Sequence, residues 1–359
     1  MCTLLSITGC PADDPDGQAD SSSTGAPADS WSDAGNPTTT PDPSTDASST
    51  STDASSSGAS SSGAAESSSS DTGAIDSGLE LLVCSFNADA VHRFDLDDGS
   101  FLGELGPTDD LDGALGIVVG PDGDIYVASE ESNLVLRFGG ADGAFVSRFV
   151  SDDPRTRDVD ESGGLSGPGA VLFGPDDALY VSSFDSDAIL RYDGSTGAFI
   201  DVFVASGEGG LNGPDAGTVF GPDGNLYVPS YYSNAIARYD GTTGTSLGDF
   251  ATDMLDAPRT VVFEGEHMYV ANEGSSEVLR FDATTGDFVD VFVASGAGGL
   301  NGAAGMVFDP SGVLHVASVN NNRVLRFDSE GEPLETLIDG VATGVSAPTH
   351  ITIAPAIGG

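Results

Sequence analysis

A four-residue string recurs six times: valine or isoleucine, any residue, arginine, then phenylalanine or tyrosine. It stands at Val91–Phe94, Val135–Phe138, Ile189–Tyr192, Ile236–Tyr239, Val278–Phe281 and Val324–Phe327, so its arginines are 44, 54, 47, 42 and 46 residues apart. Self-similarity at that period is the signature of a repeat fold in which each unit buries its apolar face against the next. Just upstream of each string lies an apolar run: 81–86, 125–130, 179–184, 226–231, 268–273 and 314–319. Just downstream lies an alternating run: 101–106, 145–150, 199–204, 246–251, 288–293 and 333–338. All are short, rich in β-branched and aromatic residues and bounded by Gly, Asp and Asn, which is how strands read. A further strand opens each unit at 116–120, 170–174, 217–221, 260–264 and 305–309, followed at 120–123 and 221–224 by Gly-Pro-Asp-Gly turns. Helical periodicity is absent throughout.

Four antiparallel strands per period describe a propeller blade. The opening strands number one short of six until His350–Ile353 is read with them. The expected fold is therefore an all-β, six-bladed β-propeller over 78–359. Its first blade is shared between the chain's ends, which leaves no open sheet edge in the ring. Stretches such as LNGPDAGTVFGPDGNLYVPSYYSNAIARYDGTTG and MYVANEGSSEVLRFDATTGDFVDVF resemble the six-bladed NHL-repeat and TolB-like propellers, including the streptogramin-lyase relatives. Tyr269-Val270-Ala271-Asn272 also resembles the YVTN surface-protein repeat, a family that usually builds seven blades. The resemblance covers 79–355 and implies the fold; for function it implies binding scaffolds, lactonases and lyases alike.

Residues 11–77 are Ser, Asp, Ala, Gly, Thr and Pro with almost no large apolar side chains, and Trp31 is isolated among them. Such a stretch buries too little surface to offset its ordering entropy and is expected to be a disordered, self-repelling linker. Ahead of it, Ile7-Thr8-Gly9-Cys10 resembles a bacterial lipobox, which implies lipidation of Cys10, over a truncated signal at 1–10. A basic n-region and a full apolar run are missing, and a start upstream of Met1 would supply both. The expectation is a cell-envelope protein, lipid-anchored outside the cytoplasm. No run of 18 apolar residues occurs.

The charge narrows the partners. All 11 basic residues are arginines, set against 57 acids for a net charge of −46. That balance repels nucleic acid and excludes a basic membrane-docking patch. Cationic or polar partners and a monomeric state are expected. Cys84 lies alone in an apolar strand and reads as a core residue.

A residue repeated in every blade serves the repeat, so the six arginines read as an inter-blade ion-pair or hydrogen-bond girdle. Asp89, Asn133, Asp187, Asn234, Ser276 and Asn322, each after the second strand, read as Asx-type turn closers. Function is sought where the blades differ. Asp215, Arg259 and His350 replace Gly or Ala near the start of innermost strands and should face the mouth of the central channel. There they would grip a polar ligand or merely cap the channel. Tyr231, Tyr232, Phe184 and Phe86 would add aromatic surface. The rival reading is a lyase or lactone hydrolase with His350 and Asp215 as acid and base; a third is a surface-layer component. Of the four histidines only His350 opens an inner strand; His315 replaces a repeated tyrosine and should be packed, and His267 is placed in a turn. A three-histidine zinc site is not expected, and the metal set of gluconolactonase-like propellers has no counterpart by residue. No cofactor is expected, save weak Ca²⁺ binding by Asp158 and Asp160 in the acidic loop 151–169, which lacks the glutamate of a calcium loop.

Overall fold

The computed structural model describes residues 78–152 and 161–358. The N-terminal segment with Cys10 and Trp31, and the loop with Asp158 and Asp160, lie outside the described residues. The described chain forms six four-stranded antiparallel sheets arranged as a propeller. Blade 1 combines Pro348–Pro355 with Leu79–Ser85, Ala90–Asp95 and Phe101–Glu104, so the chain's two ends do close the ring. Blade 2 runs Ala114–Val119, Ile125–Ser129, Leu134–Phe138 and Phe145–Val150. Blade 3 follows as Pro168–Phe173, Leu179–Ser183, Ala188–Tyr192 and Phe199–Val204. In blade 4 the strands are Val219–Phe220, Leu226–Ser230, Ala235–Tyr239 and Ser246–Ala251, and in blade 5 Pro258–Glu264, His267–Asn272, Glu277–Asp282 and Phe288–Val293. Blade 6 holds Ala303–Phe308, Leu314–Ser318 and Arg323–Phe327, but its outer strand is only Ile338–Asp339. The expected 333–338 strand is reduced to a Phe327–Pro333 bridge, because Pro333 brings no N–H to a ladder. His267 opens the second strand of blade 5, paired with Asp282, rather than sitting in a turn.

The aromatic residue of each repeated string is completely buried: Phe94, Phe138, Tyr192, Tyr239, Phe281 and Phe327. The arginine beside it does not bridge blades. Arg93 binds Glu80, Arg137 binds Asp122 and Asp124, Arg191 binds Asp201, and Arg280 binds Asp290, each within its own blade. What crosses between blades here is aromatic. Tyr126, Tyr180, Tyr227 and Tyr269 meet Phe173, Phe220, Phe263 and Phe308 of the following blade edge-on, with centroids 4.9–5.1 Å apart. Three of these tyrosines donate their hydroxyl to an aspartate in the preceding turn, as Tyr126 does to Asp122 at 2.9 Å. His315 takes the tyrosine position in blade 6 and is fully buried, with Nε2 3.0 Å from Asp309. Cys84 is likewise buried in the core, which pushes its thiol pKa up.

The six Asx-position residues have a role other than local turn closure. Each adopts a left-handed conformation, with φ between 49° and 61°. From there each side chain accepts a backbone N–H from the next blade. Gly113 donates to Asp89, Gly167 to Asn133, Gly213 to Asp187, Ala257 to Asn234, Gly302 to Ser276 and Ala347 to Asn322, all at 2.7–2.9 Å. These six bonds form a closed ring of latches on the face where innermost strands begin.

Candidate functional site

A central channel of about 560 Å³, walled by all six innermost strands, runs from Thr260 and His350, beneath the latched face, to Gly120, Gly174 and Asp177 at the opposite face. Toward the latched face five of these strands slip register against their neighbours. The shifts fall between Ala114 and Ile117, Pro168 and Val171, Pro258 and Thr260, and Ala303 and Met306, and opposite Val83–Ser85 in blade 1. A bulge re-aims the extra side chain and bends the strand. Asp215 and Arg259 occupy this position in blades 4 and 5. Blade 4 departs furthest: Gly217 leaves its own sheet to pair in parallel with Thr260, its N–H donating to the Arg259 carbonyl at 3.0 Å. A Cβ on Gly217 would lie 2.2 Å from the Thr260 Cα, so only glycine permits this approach.

That approach brings Asp215 and Arg259 together. Arg259 Nε lies 3.3 Å from Asp215 Oδ2, and Nη1 donates to Glu273 Oε2 at 2.8 Å. The guanidinium also lies 5.9 Å from the Tyr231 ring centroid. Asp215 is 2% exposed and accepts the Ala216 N–H as well. Burial pushes its carboxyl pKa up, with the guanidinium and that N–H pulling the other way. For Arg259 burial acts downward, but Asp215 and Glu273 outweigh it and hold the guanidinium pKa well above its usual range. Tyr231 is raised to about 12, by burial first and Glu273 next.

His350 lies one position further along its strand than Asp215 and Arg259 do on theirs, and lines the channel wall. It forms no hydrogen bond with either among the described residues, and its buried Nδ1 has no partner. Burial, then the Arg259 charge, lowers its pKa to about 4, so it is a neutral imidazole at physiological pH. Phe184, Tyr231 and Tyr232 form one aromatic cluster, with centroids 5.1–6.2 Å apart. Phe86 instead lies close to Gly113 of blade 2.

Two further members of the site escape a reading of the sequence. The residue after the second strand is Phe86, Glu130, Phe184, Tyr231, Glu273 and Val319 around the ring. Glu273 completes the Arg259 clamp. Glu130 stands in the opposite blade of the six, and its carboxylate has no hydrogen-bond or ion-pair partner among the described residues. Burial first, then repulsion by Asp215, pushes its pKa up to about 7, against the pull of Arg259; Asp185 and Glu131 add to the rise. Among the described residues no three His, Cys, Asp or Glu side chains converge as metal ligands would.

This arrangement on this ring defines a six-bladed β-propeller with a polar, asymmetric mouth. No protein-family model matches the chain, and no curated protein does. Among solved structures it is similar to a chain in the crystal structure of a nidogen/laminin complex. That match has a TM-score of 0.61 and 17% identity, covering 78% of this chain and 99% of that one. A protein of unknown function from Bacteroides caccae is similar with a TM-score of 0.59 and 14% identity, over 77% of this chain and 98% of its own. At such identities the likeness shows the fold alone.

Proposed function

We propose that the protein is a binding module that receives a polar or cationic ligand, or a partner protein, at the channel mouth. The observation that carries this reading is the asymmetry of that face. The latches, the aromatic contacts between blades and the arginines repeat around the ring, whereas Asp215, Arg259, Glu273, Glu130, His350 and the Phe184–Tyr231–Tyr232 cluster each break the repeat, and all lie at or just beneath the latched face. Binding is favoured over lyase or lactonase chemistry because the acid/base pair is not assembled. Asp215 is directed at Arg259 and Ala216, and no carboxylate touches His350 among the described residues.

Membership of the NHL-repeat and TolB-like group, and display at the cell envelope through a lipid on Cys10, belong to the same proposal. The chain enters blade 1 at Leu79, paired with Pro355, on the face away from the mouth. Hydrogen exchange on the full chain, with and without a panel of small polar ligands and peptides, tests the reading. Protection is expected in the loops at 86–89, 130–133, 184–187, 231–234, 273–276 and 319–322. Protection confined to the opposite turns or the outer strands would refute it. Loss of membrane partitioning in Cys10→Ala would support the anchor, and unchanged partitioning would remove it.

A further inference from the structure

We infer that the outer rim of blade 4 carries a binding site for a monocarboxylate, held by the guanidinium of Arg238 beside Gly248. The site is remote from the mouth, toward the face opposite the latches, and is independent of what the mouth binds. Three blades share one register there. In blade 3 Tyr180, Arg191 and Asp201 stand in a row across the second, third and outer strands. Tyr269, Arg280 and Asp290 form the same row in blade 5, whereas in blade 4 it reads Tyr227, Arg238 and Gly248. The guanidinium takes the same place in all three, over the ring of Phe203, Phe250 or Phe292 at 5.4, 5.1 and 5.3 Å.

Blades 3 and 5 show what fills the fork beside that ring. Arg191 Nε donates to Asp201 Oδ1 at 3.0 Å and Nη2 to Oδ2 at 2.6 Å. Arg280 repeats the pair of bonds on Asp290, at 3.0 and 2.5 Å. In blade 4 the carboxylate is missing from this position. Leu247-Gly248-Asp249 stands where blade 3 has Ile200-Asp201-Val202, so the acid falls one residue later, opposite Ala237, and points to the other face of the sheet. Arg238 Nε has no hydrogen-bond partner, and among the described residues no carboxylate forms an ion pair with its guanidinium. Gly248 is exposed, and a Cβ built on it would meet nothing within 4 Å. The place of the missing side chain is therefore open, beside a donor that forfeits a charge-assisted bond.

The fork selects a planar anion with two oxygens on one carbon. A single negative charge suits it best. Asp223, which accepts the Tyr227 hydroxyl at 3.0 Å on the inner side, lies within electrostatic reach of Arg238, and the strongly acidic chain repels multiply charged anions. The carboxylate comes from a free short-chain acid or from an acidic residue of a peptide, and the two sources share this chemistry.

The test follows the arginine Nε–H resonances of the full, isotope-labelled chain at about 0.15 M salt, where long-range repulsion is screened. The probes are sodium formate and Nα-acetyl-aspartic acid amide, with acetamide as the neutral and sodium sulfate as the dianionic control. One resonance should move with both carboxylates, half-saturating at about millimolar concentration, and should not move with acetamide. The tighter carboxylate tells whether the natural source is free or peptide-borne. Arg238→Gln should remove the responding resonance. Gly248→Asp supplies the carboxylate from within and should weaken formate binding by about tenfold or more. Asp201→Gly vacates the fork of Arg191 without touching blade 4 and should add a second responding resonance. No response to either carboxylate, a response that survives Arg238→Gln, wild-type formate affinity in Gly248→Asp, or sulfate binding as tight as formate would each overturn the assignment. A single unchanged response in Asp201→Gly would show that an emptied fork does not make a site.

Discussion

Glu130 carries a cost that can be measured. Its carboxyl is held at about 7 against an ordinary 4.5, by burial and then by Asp215. Between those values the unfolded chain releases a proton that the folded chain keeps, so this group's contribution to stability falls as pH rises from about 4.5 to about 7. Glu130→Gln removes the penalty. It should melt with the wild type at pH 4 and exceed it by about 1–2 kcal/mol at pH 8, after allowance for partial exposure; identical melting at both values would contradict this placement. Arg259 works in the opposite sense. Arg259→Met leaves Asp215 buried without its counter-charge and should cost about 3–5 kcal/mol in urea unfolding, with Asp215→Asn in the same chain recovering part of it. Asp215, Arg259 and His350 are legible in the sequence because each puts an ionisable side chain near the start of an innermost strand, where the other blades carry small residues. Glu130 and Glu273 are not, because their position holds phenylalanine, tyrosine or valine elsewhere and offers no pattern to break.

Strands are the most legible elements, since alternation and the arginine string mark three of the four in every blade. Where the outer strand of blade 6 was expected, Pro333 and the flanking Glu332 and Glu335 replace the apolar alternation of the other blades. The latches escape the sequence for a different reason. A lone Asx residue after a strand is explained well enough by a local turn, and its true partner lies 23–34 residues further on, in the next repeat. Their energetics follow from two small terms. Asn234→Ala loses the bond to Ala257 and leaves an alanine in a left-handed conformation, a combined cost of about 1–3 kcal/mol. Ala257 itself sits at φ 52°, and Ala257→Gly relieves about 1–2 kcal/mol of strain against about 0.5–1 kcal/mol of added unfolded-state entropy. A net gain of roughly half to one kcal/mol in thermal melts is expected; a loss would show that the methyl group packs more usefully than its conformation suggests.

At the scale of the molecule, the ring depends on its composite blade. Pro348–Pro355 supplies the innermost strand, and Ile357 beyond it receives a bond from Arg93 and gives one to Glu80. Ile351, Ala354 and Ile357 are all buried. Deleting residues 348–359 opens both neighbours of blade 1 and should lower the melting temperature by roughly 15 °C or more, if a folded chain is recovered at all; a truncated chain that melts like the full one would show that the ring does not need closing. The six-fold order was legible from the arginine string, but the direction of its bonds was not: the arginines stitch within blades while tyrosine rings and latches join them.

The composite blade also sets a delay in biosynthesis. Ser85 finds its partner Ser346 only after 261 further residues have been made, roughly 13–50 s at about 5–20 residues per second. Throughout that interval the apolar strand Leu79–Ser85 has one edge without a partner, while the five later blades emerge and pack in order. The nascent chain therefore passes through an open arc whose two ends are sticky toward each other and toward any second chain nearby, and crowding of unfinished copies is the condition under which this protein is most exposed to mispairing.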